Sequence, residues 1–228
     1  MNVVVIVSAN SEWRVVRELL PEAASQSTPL GETFLLDLDP GPVRFFHGGW
    51  GKISAAATAQ YAIDRYRPDL LLNLGTCGGF EGQIERGTLI LAERTLVYDI
   101  LEQMTDPAGA IDHYATQLDL SWLREPYPHP VQRGLLVSGD RDIVVEDIPL
   151  LIARYNAVAA DWESGAIAWV ARKNDLPCLI LRGVSDLVGA GGGEAYGNIE
   201  LFHQRTKAIM DSLIRQLPDW LASVSLGS

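Results

Sequence analysis

Apolar residues fall along the chain in short runs that alternate with longer stretches of helical period. Runs at residues 3–7, 33–38, 43–46, 70–74, 88–92, 134–137 and 178–181 predict strands. Helices are predicted over 12–20, over an alanine-rich stretch at 53–66, over 163–173, and over a long amphipathic stretch at 201–221. Pro218 is expected to kink or divide the last of these, because proline removes a backbone donor. Strands and helices in alternation imply an α/β sheet covered on both faces. The strands at 33–38 and 43–46, joined through Asp39-Pro40-Gly41, read as a hairpin, so the sheet should be mixed. No repeat or linker interrupts residues 1–228, which read as a single domain. Residues 103–130, with five Pro or Gly positions from Pro107 to Pro130, read as irregular. Residues 188–198 are glycine-rich and follow a strand directly, which suits either a mobile lid or an unordered loop.

Length and charge narrow the classes. A chain of 228 residues buries a substantial core. Its formal net charge of -11 repels phosphate backbones and anionic membranes, so neither nucleic acid nor a membrane is expected as partner. A small uncharged or zwitterionic ligand is not disfavoured. No apolar run approaches the roughly 20 residues of a membrane-spanning helix, and the N-terminus lacks the features of a signal peptide. Cys77 and Cys178 lie far apart in apolar segments, which suits a reducing cytoplasm. His47, His113, His129 and His203 show no ligand spacing, so no metal and no cofactor is expected.

Polar residues gather beyond four predicted strands, where open α/β sheets bind ligands. They are Ser8-Ala9-Asn10-Ser11-Glu12, Gly75-Thr76-Cys77-Gly78-Gly79, Ser138-Gly139-Asp140 and Arg182-Gly183-Val184-Ser185-Asp186. Each also has an ordinary structural reading. Glu12 stands in the first turn of a helix, where an acid gains about 0.3–1 kcal/mol. Asp186 suits a turn or a cap, and the glycines after Asn73 suit a tight turn. The shared topological position is what favours a site.

Together with Gly48-Gly49-Trp50-Gly51-Lys52 and Asp161-Trp162-Glu163-Ser164-Gly165-Ala166, these segments resemble the nucleoside phosphorylase/nucleosidase family. The closest likeness is to its methylthioadenosine/S-adenosylhomocysteine nucleosidases, and it runs from the first strand to the last helix. The resemblance implies a three-layer α/β fold of the purine nucleoside phosphorylase kind, with a twisted mixed central sheet flanked by helices. It also implies a homodimer that hydrolyses the N-glycosidic bond of a purine nucleoside, releasing adenine and the thioribose.

By the same resemblance Asp186 is the acid that protonates the departing purine, which requires a raised pKa. Glu12 activates the attacking water, in a segment one residue shorter than the family's usual spacing. Glu163 accepts hydrogen bonds from the ribose hydroxyls, bonds that can strengthen as the sugar becomes cationic. Thr76 and Gly78 line the sugar and the water, and Trp162 packs on the ribose where the family usually has methionine. Ile143 presents its backbone to the purine edge. Asp142 replaces an aromatic that often stacks on the base, and either accepts a bond from a purine amino group or points to solvent. Ser185 and Arg182 position the Asp186 carboxyl and the strand end, while Arg182 reads equally as a structural ion-pair residue. Two alternatives stand beside hydrolysis: a phosphorolytic purine nucleoside phosphorylase and a non-catalytic nucleoside-binding protein. Asn73 stands where phosphorylases commonly carry a phosphate-binding arginine, which favours water.

Overall fold

The computed structural model describes residues 1–39 and 41–226, the side chains of residues 107 and 108 excepted. Among the described residues, eleven strands join in one sheet. They are β1 (Val3–Val7), β2 (Gln26–Thr28), β3 (Gly31–Leu38), β4 (Gly41–His47), β5 (Leu70–Phe80), β6 (Leu89–Val97), β7 (Thr116–Gln117), β8 (Gln132–Ser138), β9 (Ala157–Asp161), β10 (Cys178–Gly189) and β11 (Gly192–Gly193). The helices are α1 (Asn10–Leu19), α2 (Gly51–Tyr66), α3 (Pro107–Tyr114), α4 (Ile148–Tyr155), α5 (Ser164–Lys173) and α6 (Ile199–Ala222).

Strand alternation builds the layers. In β1, Val3, Val5 and Val7 pack with Trp13 and Val16 of α1 and with Met210, Leu213 and Leu217 of α6. Val4 and Ile6 face the other way, toward Ala55, Ala59 and Ala62 of α2 and Ile167 and Ala171 of α5. A strand serving two apolar layers is apolar at every position, as β1 is. In α2 the buried residues Ala55, Thr58, Ala59 and Ala62 recur at helical spacing. Their small side chains suit a close approach to α5. Among the described residues no helix is long and apolar enough to cross a membrane.

The sheet is mixed, as expected. β1 pairs in parallel with β4 and β5, while β3 and β4 form the anticipated antiparallel hairpin, whose Pro40 lies outside the described residues. The closure of the sheet is an addition. β10 pairs with β5 in parallel and with β6 antiparallel. β6, β8 and β9 then lead back to β5. Five strands therefore close into a small barrel, and β1, β4, β3 and β2 extend from it as a wing.

Several expected boundaries move. β5 and β10 do not end at residues 74 and 181; they run on together to Phe80 and Gly189. The glycines after Asn73 therefore lie within a strand rather than in a turn. A Cβ at Gly79 would come within 2.7 Å of Ile84 and 2.8 Å of Val184, so these positions are small because neighbours approach closely. Pro218 does not divide α6, which continues to Ala222 with Leu217, Trp220 and Leu221 buried around it. The segment 103–130 is not wholly irregular, since it contains α3 and β7. Residues 188–198 begin as a hairpin, in which Val188 pairs with Gly193 and Gly189 with Gly192. β9 and α4 were absent from the predicted elements. β9 is short and mostly alanine, a residue with little strand preference, and it is held in place by complete burial.

The contact between β10 and α6 offers a test. A Cβ at Gly183 would run into Ile209 Cγ2 and lie 3.2 Å from the Ile209 Cβ, so the stem of that side chain blocks it. Gly183→Ala should destabilise the fold by about 1–3 kcal/mol, measured by urea unfolding. An unchanged midpoint would show that α6 moves away freely.

Candidate active site

Glu12 enters from the first turn of α1 and is buried. Its Oε1 accepts the Thr76 N–H at 2.6 Å and the Thr76 hydroxyl at 2.8 Å, while Oε2 accepts the Ala9 N–H at 3.2 Å. The last bond is half of a capping box, so the helix-terminus role and the site position coincide in one residue. The glycine preceding Thr76 is obligatory. A Cβ at Gly75 would land on the Arg182 guanidinium and lie 2.7 Å from Glu12 Oε1.

Arg182 is 1% exposed and is the hub of the buried cluster. Its Nε donates to Ser164 Oγ at 3.0 Å and lies 3.0 Å from Asp161 Oδ2. Nη2 donates to Asn73 Oδ1 at 2.7 Å and approaches Glu163 Oε2 at 3.5 Å. Nη1 donates to the Thr76 carbonyl at 3.3 Å and lies 3.8 Å from Glu12 Oε1. Three carboxylates thus surround one cation, in a setting where an uncompensated charge is costly. Glu163 responds: burial pushes its carboxyl up to about 8, helped by Asp161 and Glu12 and opposed by Arg182 and the Gly51 N–H. That N–H donates to Glu163 Oε1 at 3.1 Å and brings the Gly48–Lys52 segment over the acid. Asp161 accepts from the Glu163 and Ser164 N–H groups at 3.2 and 3.1 Å and from Ser138 Oγ at 2.6 Å.

Asp186 belongs to a second group. The β5–β10 register shifts between Val184 and Asp186, leaving Ser185 as an extra residue. Such a bulge moves the alternation by one position, so Asp186 is directed to the face opposite Arg182. The expectation that Arg182 positions the Asp186 carboxyl is thereby corrected. Among the described residues Arg182 makes no hydrogen bond or ion pair with it, and its ion-pair reading holds. Ser185 does reach the carboxyl: its Oγ lies 2.6 Å from Asp186 Oδ1 and 3.2 Å from the Cys77 carbonyl. A hydroxyl has one proton to donate. It therefore donates to Asp186 Oδ1 or to the Cys77 carbonyl at any one time, and the Ala195 N–H also meets the Asp186 carboxyl. Burial raises the Asp186 pKa; the Ser185 bond, Arg205 and the Ala195 N–H oppose the rise and Glu194 assists it. Arg205, from α6, donates to the Ser185 carbonyl at 3.2 Å and to Glu194 at 2.9 Å.

The other expected residues frame these groups. Gly78 admits Ile143, whose Cδ1 would stand 2.7 Å from a Cβ there. Trp162 is half-buried, its ring centroid 6.3 Å from that of Trp50. Asp142 is exposed. Three further residues, each within a segment or stretch that the sequence already singles out, take part. Asn73 and Asp161 hold Arg182, and Tyr196 donates to the Ile143 carbonyl at 3.1 Å. The Asp161 signal was available in an acid three residues before Ser164 at a helix start. Among the described residues no group of side chains could hold a metal ion. Cys77 and Cys178 are free and buried.

A family model described as the phosphorylase superfamily matches residues 3–217. The chain is 25% identical over 197 residues to a 5'-methylthioadenosine/S-adenosylhomocysteine nucleosidase of Buchnera aphidicola, covering 82% of this chain and 85% of that one. It is 23% identical to the enzyme of the same name from Tolumonas auensis, covering 95% of this chain and all of that one. Among solved structures, the nucleosidase of Colwellia psychrerythraea in complex with adenine superposes with a TM-score of 0.78 at 21% identity, over 100% of this chain and 98% of that one. That of Streptococcus pneumoniae in complex with 8-aminoadenine gives 0.78 at 18%, over 98% of this chain and 100% of that one. These two likenesses establish the fold.

The buried cluster carries a pH signature. An unfolded glutamate titrates near 4.5, so the folded chain holds a proton on Glu163 that the unfolded chain releases between about 4.5 and about 8. Stability therefore falls as pH rises through that window. Glu163→Gln, a neutral mimic, should flatten this slope. Urea midpoints across the window measure it, and a slope equal to wild type would locate the proton elsewhere.

Proposed function

We propose that this chain, which belongs to the phosphorylase superfamily, hydrolyses the N-glycosidic bond of a purine nucleoside, with 5'-methylthioadenosine and S-adenosylhomocysteine as substrates. Asp186 donates its proton to the purine N7 while the bond from C1' to N9 breaks and its electron pair leaves with the base. Water attacks C1' from the other side, and Glu12 takes the proton it sheds. Glu163 accepts hydrogen bonds from the ribose hydroxyls, which become better donors as the sugar gains positive charge. Thr76 holds the Glu12 carboxylate and, with Gly78, lines the sugar. Trp162 packs on the ribose, and the Ile143 backbone meets the edge of the base. Ser185 relays between Asp186 and the Cys77 carbonyl.

The observation that carries this reading is the placing of Asp186, buried and with its pKa raised by that burial, on the strand face opposite the cluster in which Arg182 holds Glu12 and Glu163. Water rather than phosphate is the nucleophile. A phosphate dianion requires uncommitted arginines, and the guanidinium of Arg182 is engaged by Asn73, Ser164, Thr76 and three carboxylates. Arg14 is exposed and lies outside the cluster.

The protein works as a cytoplasmic homodimer. The buried, free cysteines suit a reducing compartment. The apolar side chains of Trp50, Ile53, Leu101 and Met104 are exposed on two segments that the Lys52–Asp99 ion pair brings together, and such a patch favours association. Sedimentation equilibrium should give twice the chain mass. A monomer at micromolar concentration would remove the dimer.

Incubation with methylthioadenosine should release adenine at a rate independent of added phosphate. A rate proportional to phosphate would make the protein a phosphorylase, and no release would leave it a binder. Asp186→Asn should lower kcat by roughly a hundred- to ten-thousandfold with the fold intact, and wild-type turnover would remove Asp186 from the mechanism. Glu12→Gln should still bind the nucleoside while losing hydrolysis.

A further inference from the structure

The base side of the site is bounded by Gly78, Ile143 and Asp186, and the nearest residue before Ile143 is an exposed acid, Asp142, which has no ring to offer. A ring arrives from another part of the chain. Tyr196 follows the β10–β11 hairpin and reaches across to Ile143, where its hydroxyl donates to the backbone carbonyl at 3.1 Å. Its ring lies against Gly193, where a Cβ would come within 2.6 Å of Cδ1 and Cε1, so only glycine leaves room for it. The carboxyl groups of Asp142 and Asp186 lie within electrostatic reach. Burial, with Asp142 adding to it, pushes the phenol up to about 12, so the hydroxyl stays a donor at any physiological pH. Yet Tyr196 is 45% exposed, so the chain itself covers the residue only in part.

We propose that Tyr196 is the base-stacking strap of this site: its ring covers the purine beside Asp186, and its hydroxyl ties the glycine-rich segment to Ile143. The proposal rests on the reading above for the location of the base. It gives the glycines at 189–197 a purpose beyond flexibility. Gly193 makes room for the ring, and Gly197, at φ +74°, turns the chain into α6 just after it. It also makes Tyr196 a specificity residue, because a ring held at one end selects for flat, polarisable bases of purine size.

Calorimetric titration of adenine into the wild type, Tyr196→Phe and Tyr196→Ala tests this, with adenine release from methylthioadenosine assayed on the same samples. Tyr196→Ala should bind adenine about tenfold more weakly, the size expected for one base–aromatic contact. Its KM should rise in parallel while kcat stays within about threefold of wild type, since stacking acts on ground and transition states alike. Tyr196→Phe keeps the ring and should lose no more than about threefold. Wild-type adenine affinity in Tyr196→Ala overturns the proposal, as does a fall in kcat with affinity unchanged. So does a Tyr196→Phe variant as weak as Tyr196→Ala, which would assign the effect to the hydroxyl alone. Failure of the functional reading looks different: the wild type then binds adenine but releases none from the nucleoside.

Discussion

Arg182 stands within β10 with Glu12, Asp161 and Glu163 around its guanidinium and Asn73 beneath it. Those partners come from α1, β9, the start of α5 and β5, so one buried cation ties four parts of the fold to a common point. Burying a lone guanidinium costs several kcal/mol, and burying three carboxylates costs more. The cluster is tolerable because each arginine N–H direction meets an oxygen and because Glu163 holds a proton in the ordinary pH range. Orientation follows from this. Glu12 and Glu163 are pinned at one end by the cation and at the other by backbone N–H groups, from Thr76 and Ala9 in one case and Gly51 in the other. Carboxyl groups held in this way are set before any ligand arrives, which is the condition for electrostatic preorganisation.

Asp186 sits in a different environment, and a single extra residue places it there. Had β10 continued without its bulge, Asp186 would face the same side as Arg182 and be held ionised by it. The bulge at Ser185 turns it to the α6 side. There the nearest cation, Arg205, is itself engaged by Glu194. Asp186 and the Glu12–Glu163 cluster are thus separated by the thickness of a strand. The division resembles the logic of paired acids in glycoside-cleaving enzymes, in which environment rather than residue type assigns the roles.

The closure of β5 against β10 makes both arrangements compatible. Their long parallel run carries Thr76 on one strand and Ser185 and Asp186 on the other, and glycine at 75, 78, 79 and 183 lets side chains from neighbouring elements come close. Small residues here are a consequence of crowding. The strands do not stop for a loop; the candidate site is built into the barrel wall, with Glu12 delivered from the first turn of α1 and Glu163 from the N-cap of α5.

The sequence by itself determined the alternation of strands and helices, the two covered faces of the sheet, the β3–β4 hairpin and the segments that carry the candidate residues. Hydrophobic period is a local property, and the motif segments are contiguous, so both are legible along the chain. Glu12, Glu163 and Asp186 could be chosen in that way. Their division into two environments could not. The phase of a strand past a bulge, the closure of the sheet and the route of Tyr196 back to Ile143 depend on residues 50 to more than 100 positions apart. Local preference also misled where burial overrode it: β9 is a strand despite its alanines, and Pro218 stays within α6 because the residues around it are packed. Only the tertiary structure decided that Arg182 serves the cluster of Glu12, Asp161 and Glu163 rather than Asp186, because a charge is partnered by whatever the fold brings within reach, and adjacency along a strand says nothing of which face each side chain takes.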